Sequence, residues 1–232
     1  MGIVVSCLGC ASRFFFAIFS LFRFTINPGL LERPLVVGAL WGAVTGDVTT
    51  SLKIAVFFEL FWLDNIPAGT YIPPHILAST FAALALTTSF AFTEARQVMV
   101  ILLACLPLAR IGGWLDYSLR QWHNRGHNKL IGWARKGKVG DQLPQKLVFR
   151  SILRTFVTSW LFFWTSTIIL HYMLCIFFHK WGPLVAGVDM KWSFLWIAAS
   201  LGGLLALRLR KAYATFVFGV VIVGFILIAG IL

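Results

Sequence analysis

Acidic residues are scarce in this chain: 8 Asp and Glu stand against 20 Lys and Arg in 232 residues. Charged residues of both signs reach only 12%, and 59% of the chain is hydrophobic. An average soluble domain carries about 25% charged residues, so there is too little polar surface here to clothe a water-soluble body. Cysteine is sparse as well, at 4. Cys7 and Cys10 form a CxxC in an apolar setting, with no second pair and no nearby histidine. Cys105 and Cys175 read as small apolar fillers. That usage excludes a disulfide framework and argues against a redox or metal centre. The chain also lacks a nucleophile elbow, a phosphate-cradling glycine loop, a zinc-ligand cluster and any Ser/His/Asp spacing. No catalytic residue, metal or cofactor is assigned, and the chain is not expected to be an enzyme by itself.

What the chain has instead is apolar runs. Several approach or exceed the ~20 residues that span the ~30 Å hydrocarbon core of a bilayer. The expected fold is an all-α integral membrane protein, one membrane-embedded domain over residues 1–232, with about six or seven apolar segments including broken or re-entrant helices. A net charge of +12 could suggest nucleic acid. Half of the 20 basic residues, however, lie between Arg110 and Arg154, the clustering expected of a cytoplasmic segment beside membrane spans. Nucleic acid is therefore not an expected partner; the lipid bilayer is.

From Met1 to Phe24 the chain is apolar, interrupted by Arg13 and Arg23. No positive region precedes this run and no clean cleavage site follows, so it reads as a membrane segment rather than a cleaved leader. The Asn27-Pro28-Gly29 turn closes it. Ile76–Phe92 is rich in small residues and suited to close helix packing. Val98–Leu108 is apolar, with interruptions expected at Pro107 and Gly112-Gly113. Residues 123–145, rich in glycine and basic side chains, read as the one long polar loop, and the region of about 120–150 as a basic cytoplasmic loop. His123 and His127 stand four apart, yet no acidic or cysteine ligand is in register, so they read as solvated. Leu153–Phe178 is a long apolar run, Lys180–Trp192 a turn region, and Ser193–Leu207 and Ala212–Leu232 a final pair around Arg208, Arg210 and Lys211. Placing the 120–150 region in the cytoplasm puts Lys180–Trp192 outside and the Arg208–Lys211 knot inside, so the two basic clusters agree.

The richest stretch runs from Glu32 to Thr80. It is mostly apolar, yet Asp47, Lys53, Glu59 and Asp64 sit in or beside it. An ionisable group at the bilayer centre costs roughly 2.5–3.5 kcal/mol on insertion scales. Such groups face a water-filled cavity, a partner or a polar ligand. Breaks at glycine and proline expose backbone polar groups, which membrane proteins tolerate where they line a cavity or pack against protein. Leu35–Thr45 and Leu52–Leu63 are two apolar pieces divided by Gly46-Asp47, forming either one broken helix or a re-entrant hairpin. Lys53 and Glu59, six apart, lie about 240° around a helix from each other. They cannot pair on one face, so Glu59 needs a partner from elsewhere, a proton or a ligand. Gly38 and Gly42 read as packing notches.

Arg33-Pro34-Leu35, Gly46-Asp47, Thr50, Phe58-Glu59-Leu60, Asn65-Ile66, Pro73-Pro74 and Leu77-Ala78-Ser79 follow one another in the order seen in a known family. The stretch resembles the membrane component IIC of the mannose/fructose/sorbose-type phosphotransferase system (PTS). The ordered match covers roughly a fifth of the chain. Two departures stand out: Ala55-Val56 occupies a place usually held by smaller residues, and Asn65-Ile66-Pro67 replaces Asn-Ile-Gly. Bulkier side chains there would reshape a sugar pocket.

The resemblance implies a sugar-translocating subunit in the bacterial cytoplasmic (inner) membrane, multi-pass and part of a hetero-oligomer. It further implies a sister membrane subunit IID, cytoplasmic IIA and IIB phosphocarriers, and a sugar that is phosphorylated as it enters. By motif position, Glu59 would accept hydrogen bonds from sugar hydroxyls, with Asp47, Asn65, Thr50 and Asp64 shaping the same pocket. Two other readings of the same residues remain: a structural or regulatory subunit without transport, and a solute carrier not coupled to phosphorylation. In the structural reading, backbone donors at helix breaks or the sister subunit satisfy Glu59 and Asp47.

Overall fold

Arg33 is extended (φ −77°, ψ 128°) and hands the chain to Pro34, whose fixed φ suits the first position of a helix. Helix α1 then runs over Pro34–Thr45 and stops where Gly46 turns left-handed at φ 83°, its N–H closing on the Gly42 carbonyl. Glycine reaches that conformation without a Cβ penalty. Asp47 follows as the N-cap of α2, Val48–Phe61, accepting from the Thr50 amide at 3.0 Å. In this computed structural model, residues 33–63, 74–135 and 143–206 are described, together with 214, 217 and 218. Met1–Phe24, the Asn27-Pro28-Gly29 turn, Asp64, Asn65, Pro67 and the Arg208–Lys211 knot lie outside the described residues.

Four more helices complete the described fold: α3 (Ile76–Phe90), α4 (Ala95–Arg135), α5 (Leu143–Ala186) and α6 (Trp192–Ala206). The choice left open at Gly46-Asp47 resolves as an antiparallel helical hairpin. Gly38 faces Ala55 and Ser51, and Gly42 faces Val48 and Ser51, each so closely that a Cβ would stand 2.4 Å from Ala55 Cβ or 2.7 Å from Val48 Cα. The two glycines are packing notches, as expected. With 12 and 14 residues, α1 and α2 reach about 18 and 21 Å at 1.5 Å per residue. Neither crosses a ~30 Å apolar layer alone.

The hairpin leans on α3, the enclosed centre of the fold. Every residue from Leu77 to Thr87 is buried. Small side chains at Ala78, Ala82, Ala83 and Ala85 let neighbours approach on all sides, which is how a helix buried all round is built. Trp41 ties α1 to α3, its ring edge-on to Phe81 at 6.3 Å and its indole N–H donating to Thr88 Oγ1 at 3.1 Å. On its other flank α2 receives α6. Gly203 lies against the Leu60 carbonyl, and the Trp196 indole donates to the Lys53 carbonyl at 3.2 Å.

Helices α4 and α5 correct the sequence expectation. The region of about 120–150, read as a loop, is mostly helical: α4 runs through Pro107, Gly112-Gly113, Gly126 and Gly132 to Arg135, and α5 begins at Leu143. A helical glycine costs only about 1 kcal/mol against alanine. Contacts between the two helices outweigh that. Leu119 and Phe163 are buried, Arg154 lies over the Trp122 ring at 5.5 Å, and Thr155 Oγ1 is 3.4 Å from His123 Nε2. The His127 side chain lies outside the described residues. The turn expected over Lys180–Trp192 is shorter than anticipated, because α5 carries on through Gly182-Pro183 to Ala186. At 41 and 44 residues, α4 and α5 are about 62 and 66 Å long and overreach the apolar layer. They are also the two described helices long and apolar enough to cross a membrane. Cys105 is buried, as a filler should be; Cys175 is exposed on α5.

Candidate functional site

The polar residues singled out in the hairpin separate into two places. At its base, Glu59 Oε1 pairs with the Arg33 guanidinium at 3.0 Å, and Glu59 Oε2 accepts from the Leu35 amide at 3.4 Å. That amide is one of the first-turn donors that an α-helix cannot satisfy internally, and the helix N-terminus favours a negative charge. Glu59 thus caps α1 from across the hairpin. The partner that helical spacing required is Arg33, and Lys53 points elsewhere, its ammonium 5.7 Å from the Trp192 ring centre.

At the tip, Asp47 and Thr50 line a cavity of about 220 Å³. Thr45 and Ser51 join them from the hairpin, and Thr87, Thr88 and Thr93 from α3 and the loop after it, with Ile54, Leu84 and Phe92 supplying apolar wall. Asp47 and Glu59 are twelve residues apart along α2, about 18 Å, so one small solute does not touch both. Asp64 and Asn65 lie outside the described residues.

Two of the hydroxyls around the tip are committed to backbone carbonyls. Thr45 donates to the Trp41 carbonyl at 2.9 Å and Thr88 to the Leu84 carbonyl at 2.8 Å. Thr88 also accepts from the Trp41 indole, so the acceptors left here are the remaining lone pairs of these two hydroxyls and the second oxygen of Asp47, beside the hydroxyls of Thr50, Ser51 and Thr93. Ala91 closes α3 in the left-handed region at φ 54°, a conformation alanine rarely adopts. The loop it opens carries Thr93 on the cavity side and then Glu94 and Arg96, which line an open depression of about 510 Å³ with Asp189, Lys191 and Trp192. Arg96 pairs with Glu94 and donates to the Ala186 carbonyl at 2.6 Å, pinning this loop to the end of α5.

Sequence reasoning missed Arg33 as the partner of Glu59, Thr87 at the tip, and two buried polar side chains, His75 at the entry to α3 and Asp116 on α4. His75 is 2% exposed, its Nδ1 accepting from the Ala78 amide at 3.3 Å, and Gly112 lets its side chain sit against α4. Asp116, one turn further along α4, is 1% exposed. Buried ionisable side chains were the available signal, but a single Asp between Trp114 and Trp122 did not carry it.

The described chain thus sets a short helical hairpin with a polar tip among long apolar helices. The family model described as PTS system sorbose-specific IIC component matches residues 10–231, and the chain belongs to that family. An Escherichia coli (strain K12) protein named "Putative N-acetylgalactosamine permease IIC component 2" is 30% identical over 79 residues, 34% of this chain and 56% of that protein. The chain therefore spans about half the length of that curated relative. Two solved structures share the fold at 14% identity, each alignment covering 94% of this chain and 87% of the other. One, described only as a membrane protein, has a TM-score of 0.63; the other, the mannose transporter ManYZ with microcin E492, has 0.54. The fold is that of an all-α integral membrane protein, and the family is one of permease components rather than enzymes.

Proposed function

We propose that this chain is the sugar-translocating IIC subunit of a mannose/sorbose-type phosphotransferase system, multi-pass in the bacterial inner membrane. It works beside a IID membrane subunit and passes sugar to a cytoplasmic IIB protein that phosphorylates it, with IIA supplying the phosphate. The observation that carries this reading is the hairpin whose Gly46-Asp47 tip closes a hydroxyl-lined cavity of about 220 Å³, in a chain matched to the family over residues 10–231. A monosaccharide's hydroxyls donate and accept, and the Asp47 carboxylate and the hydroxyls lining this cavity suit them.

Asp47 and Thr50 contact the sugar directly. Glu59 serves the site from the hairpin base, where its ion pair with Arg33 fixes α1 against α2. Asp64 and Asn65, which follow α2, keep the substrate-binding role that the resemblance implies. The names of the relatives suggest N-acetylgalactosamine, mannose and sorbose as first substrates to try.

Membrane vesicles from the source cells, with and without this chain, are given each labelled sugar in the presence or absence of phosphoenolpyruvate. Phosphorylated sugar should appear only with the chain, the cytoplasmic phosphocarriers and phosphoenolpyruvate together. Accumulation of free sugar without phosphoenolpyruvate would make it an uncoupled carrier, and no movement of any sugar would leave a structural subunit.

A further inference from the structure

Helix α3 carries five hydroxyl side chains between Ser79 and Ser89. Four are spent on their own helix: Ser79 and Thr80 donate to the Ile76 carbonyl at 2.8 and 3.1 Å, Thr88 to Leu84 at 2.8 Å and Ser89 to Ala85 at 2.7 Å. Such back-bonding is the usual fate of Ser and Thr inside helices. Thr87 departs from it. The residue is 4% exposed, its Oγ1 is buried without a hydrogen-bond partner among the described residues, and the residue lines the hairpin-tip cavity. Buried polar groups are paired in the great majority of cases, and an exception calls for a reason.

The cavity wall supplies one. Around Thr87 the protons of Thr45 and Thr88 are already given to backbone carbonyls, and Asp47 has none to give. These groups await donors. Thr87 has an uncommitted proton and awaits an acceptor. A solute that answers both must donate at some atoms and accept at another, and an alcohol oxygen does either. A simple anion meets the Thr87 proton but is repelled by the Asp47 carboxylate.

We propose that Thr87 is a specificity-determining residue, its hydroxyl donating to one ring hydroxyl of the bound sugar. It thereby favours the sugar that places an oxygen there over its epimer and its deoxy analogue. A site built to hydrogen-bond a substrate hydroxyl rejects the analogue lacking it strongly, because its own polar group is left unpaired. This inference rests on the hairpin-tip cavity being the sugar site.

The test is binding of mannose, N-acetylgalactosamine and sorbose to the full chain in its native membranes. Unmutated protein is compared with Thr87→Val, Thr87→Ser and Asp47→Asn, and the sugar that binds is followed by its series of single-deoxy analogues. Thr87→Val keeps the side chain's shape, so the amount of assembled protein should hold while affinity falls on the order of tenfold. Thr87→Ser should restore it. One deoxy analogue should bind the unmutated protein as weakly as the parent sugar binds Thr87→Val, and lose nothing further in that variant. Should Thr87→Val fail to accumulate, Thr87→Ala takes its place in the same comparison.

Affinity lost in Asp47→Asn but intact in Thr87→Val overturns the role of Thr87 and leaves the cavity as the sugar site. Affinity intact in both variants, or no binding of any of the three sugars to unmutated protein, overturns the cavity reading and this inference with it. An equal loss across every deoxy analogue would mean that Thr87 only packs, which also overturns it.

Discussion

Substituting Gly38 with alanine puts the hairpin itself at risk. The added Cβ would meet Ala55 Cβ at 2.4 Å and the Ser51 carbonyl oxygen at 2.9 Å. Carbon atoms rest at about 3.5–4.0 Å, and both obstructing atoms are fixed to the α2 backbone, so no side-chain rotation relieves the clash. The helices must part by on the order of 1 Å. Overpacking of this kind costs about 1–3 kcal/mol, and the better helix propensity of alanine returns about 1 kcal/mol. With two contacts fixed to the backbone the cost falls in the upper part of that range, about 2–3 kcal/mol, and the net loss of about 1–2 kcal/mol corresponds to a fall of about 2–8 °C in Tm for a chain of this size. The assay is thermal unfolding of the detergent-solubilised protein, followed by its monodisperse fraction. Adding Ala55→Gly removes the nearer contact and leaves the Ser51 one, so the double variant should recover much of the loss. Gly132→Ala is the control: its Cβ meets nothing within 4 Å, and Tm should hold or rise. Gly38→Ala at or above the unmutated Tm would refute the hairpin packing.

Glu59→Gln should lower the yield of assembled protein while leaving sugar affinity near normal, because what it loses is the Arg33 pair and a charged cap on α1. With Arg33 61% exposed and Glu59 19% exposed, the effect should stay near the ~1 kcal/mol ceiling of partly solvated pairs. An affinity loss at unchanged yield would make Glu59 a ligand instead. Topology is separable by impermeant labelling of single cysteines in sealed cells. A cysteine at Gly187 should react from outside and one at Ile131 only after the membrane is opened; labelling of both in intact cells would contradict the arrangement.

Much of this architecture is legible in residue order because local chemistry decides it. Gly46-Asp47 already divides two apolar pieces in the sequence, and in the structure the glycine is a left-handed stop and the aspartate an N-cap. The six-residue spacing of Lys53 and Glu59 already forbade their pairing, and the structure sends one to Trp192 and the other to Arg33. Long-range packing set the rest. Arg33 becomes the partner of Glu59 only once the hairpin folds back through 26 residues. The glycine-rich basic stretch after His123 reads as loop by composition, yet α4 and α5 hold each other helical there. Thr87 looks like any hydroxyl in a small-residue helix. Its difference lies in a bond it does not make.

The overlong α4–α5 pair has a mechanical consequence. Helices of about 60 Å exceed a ~30 Å apolar layer by about 30 Å, an excess that acts as a stiff pointer of that length. A swing of about 10° at the membrane surface would carry the tips near Arg135 and Leu143 through about 5 Å on that arm length. Rearrangements too slight to follow at the hairpin are thus magnified to a distance that a pair of spin labels resolves. Anything that grips the pointer gains the same leverage in reverse.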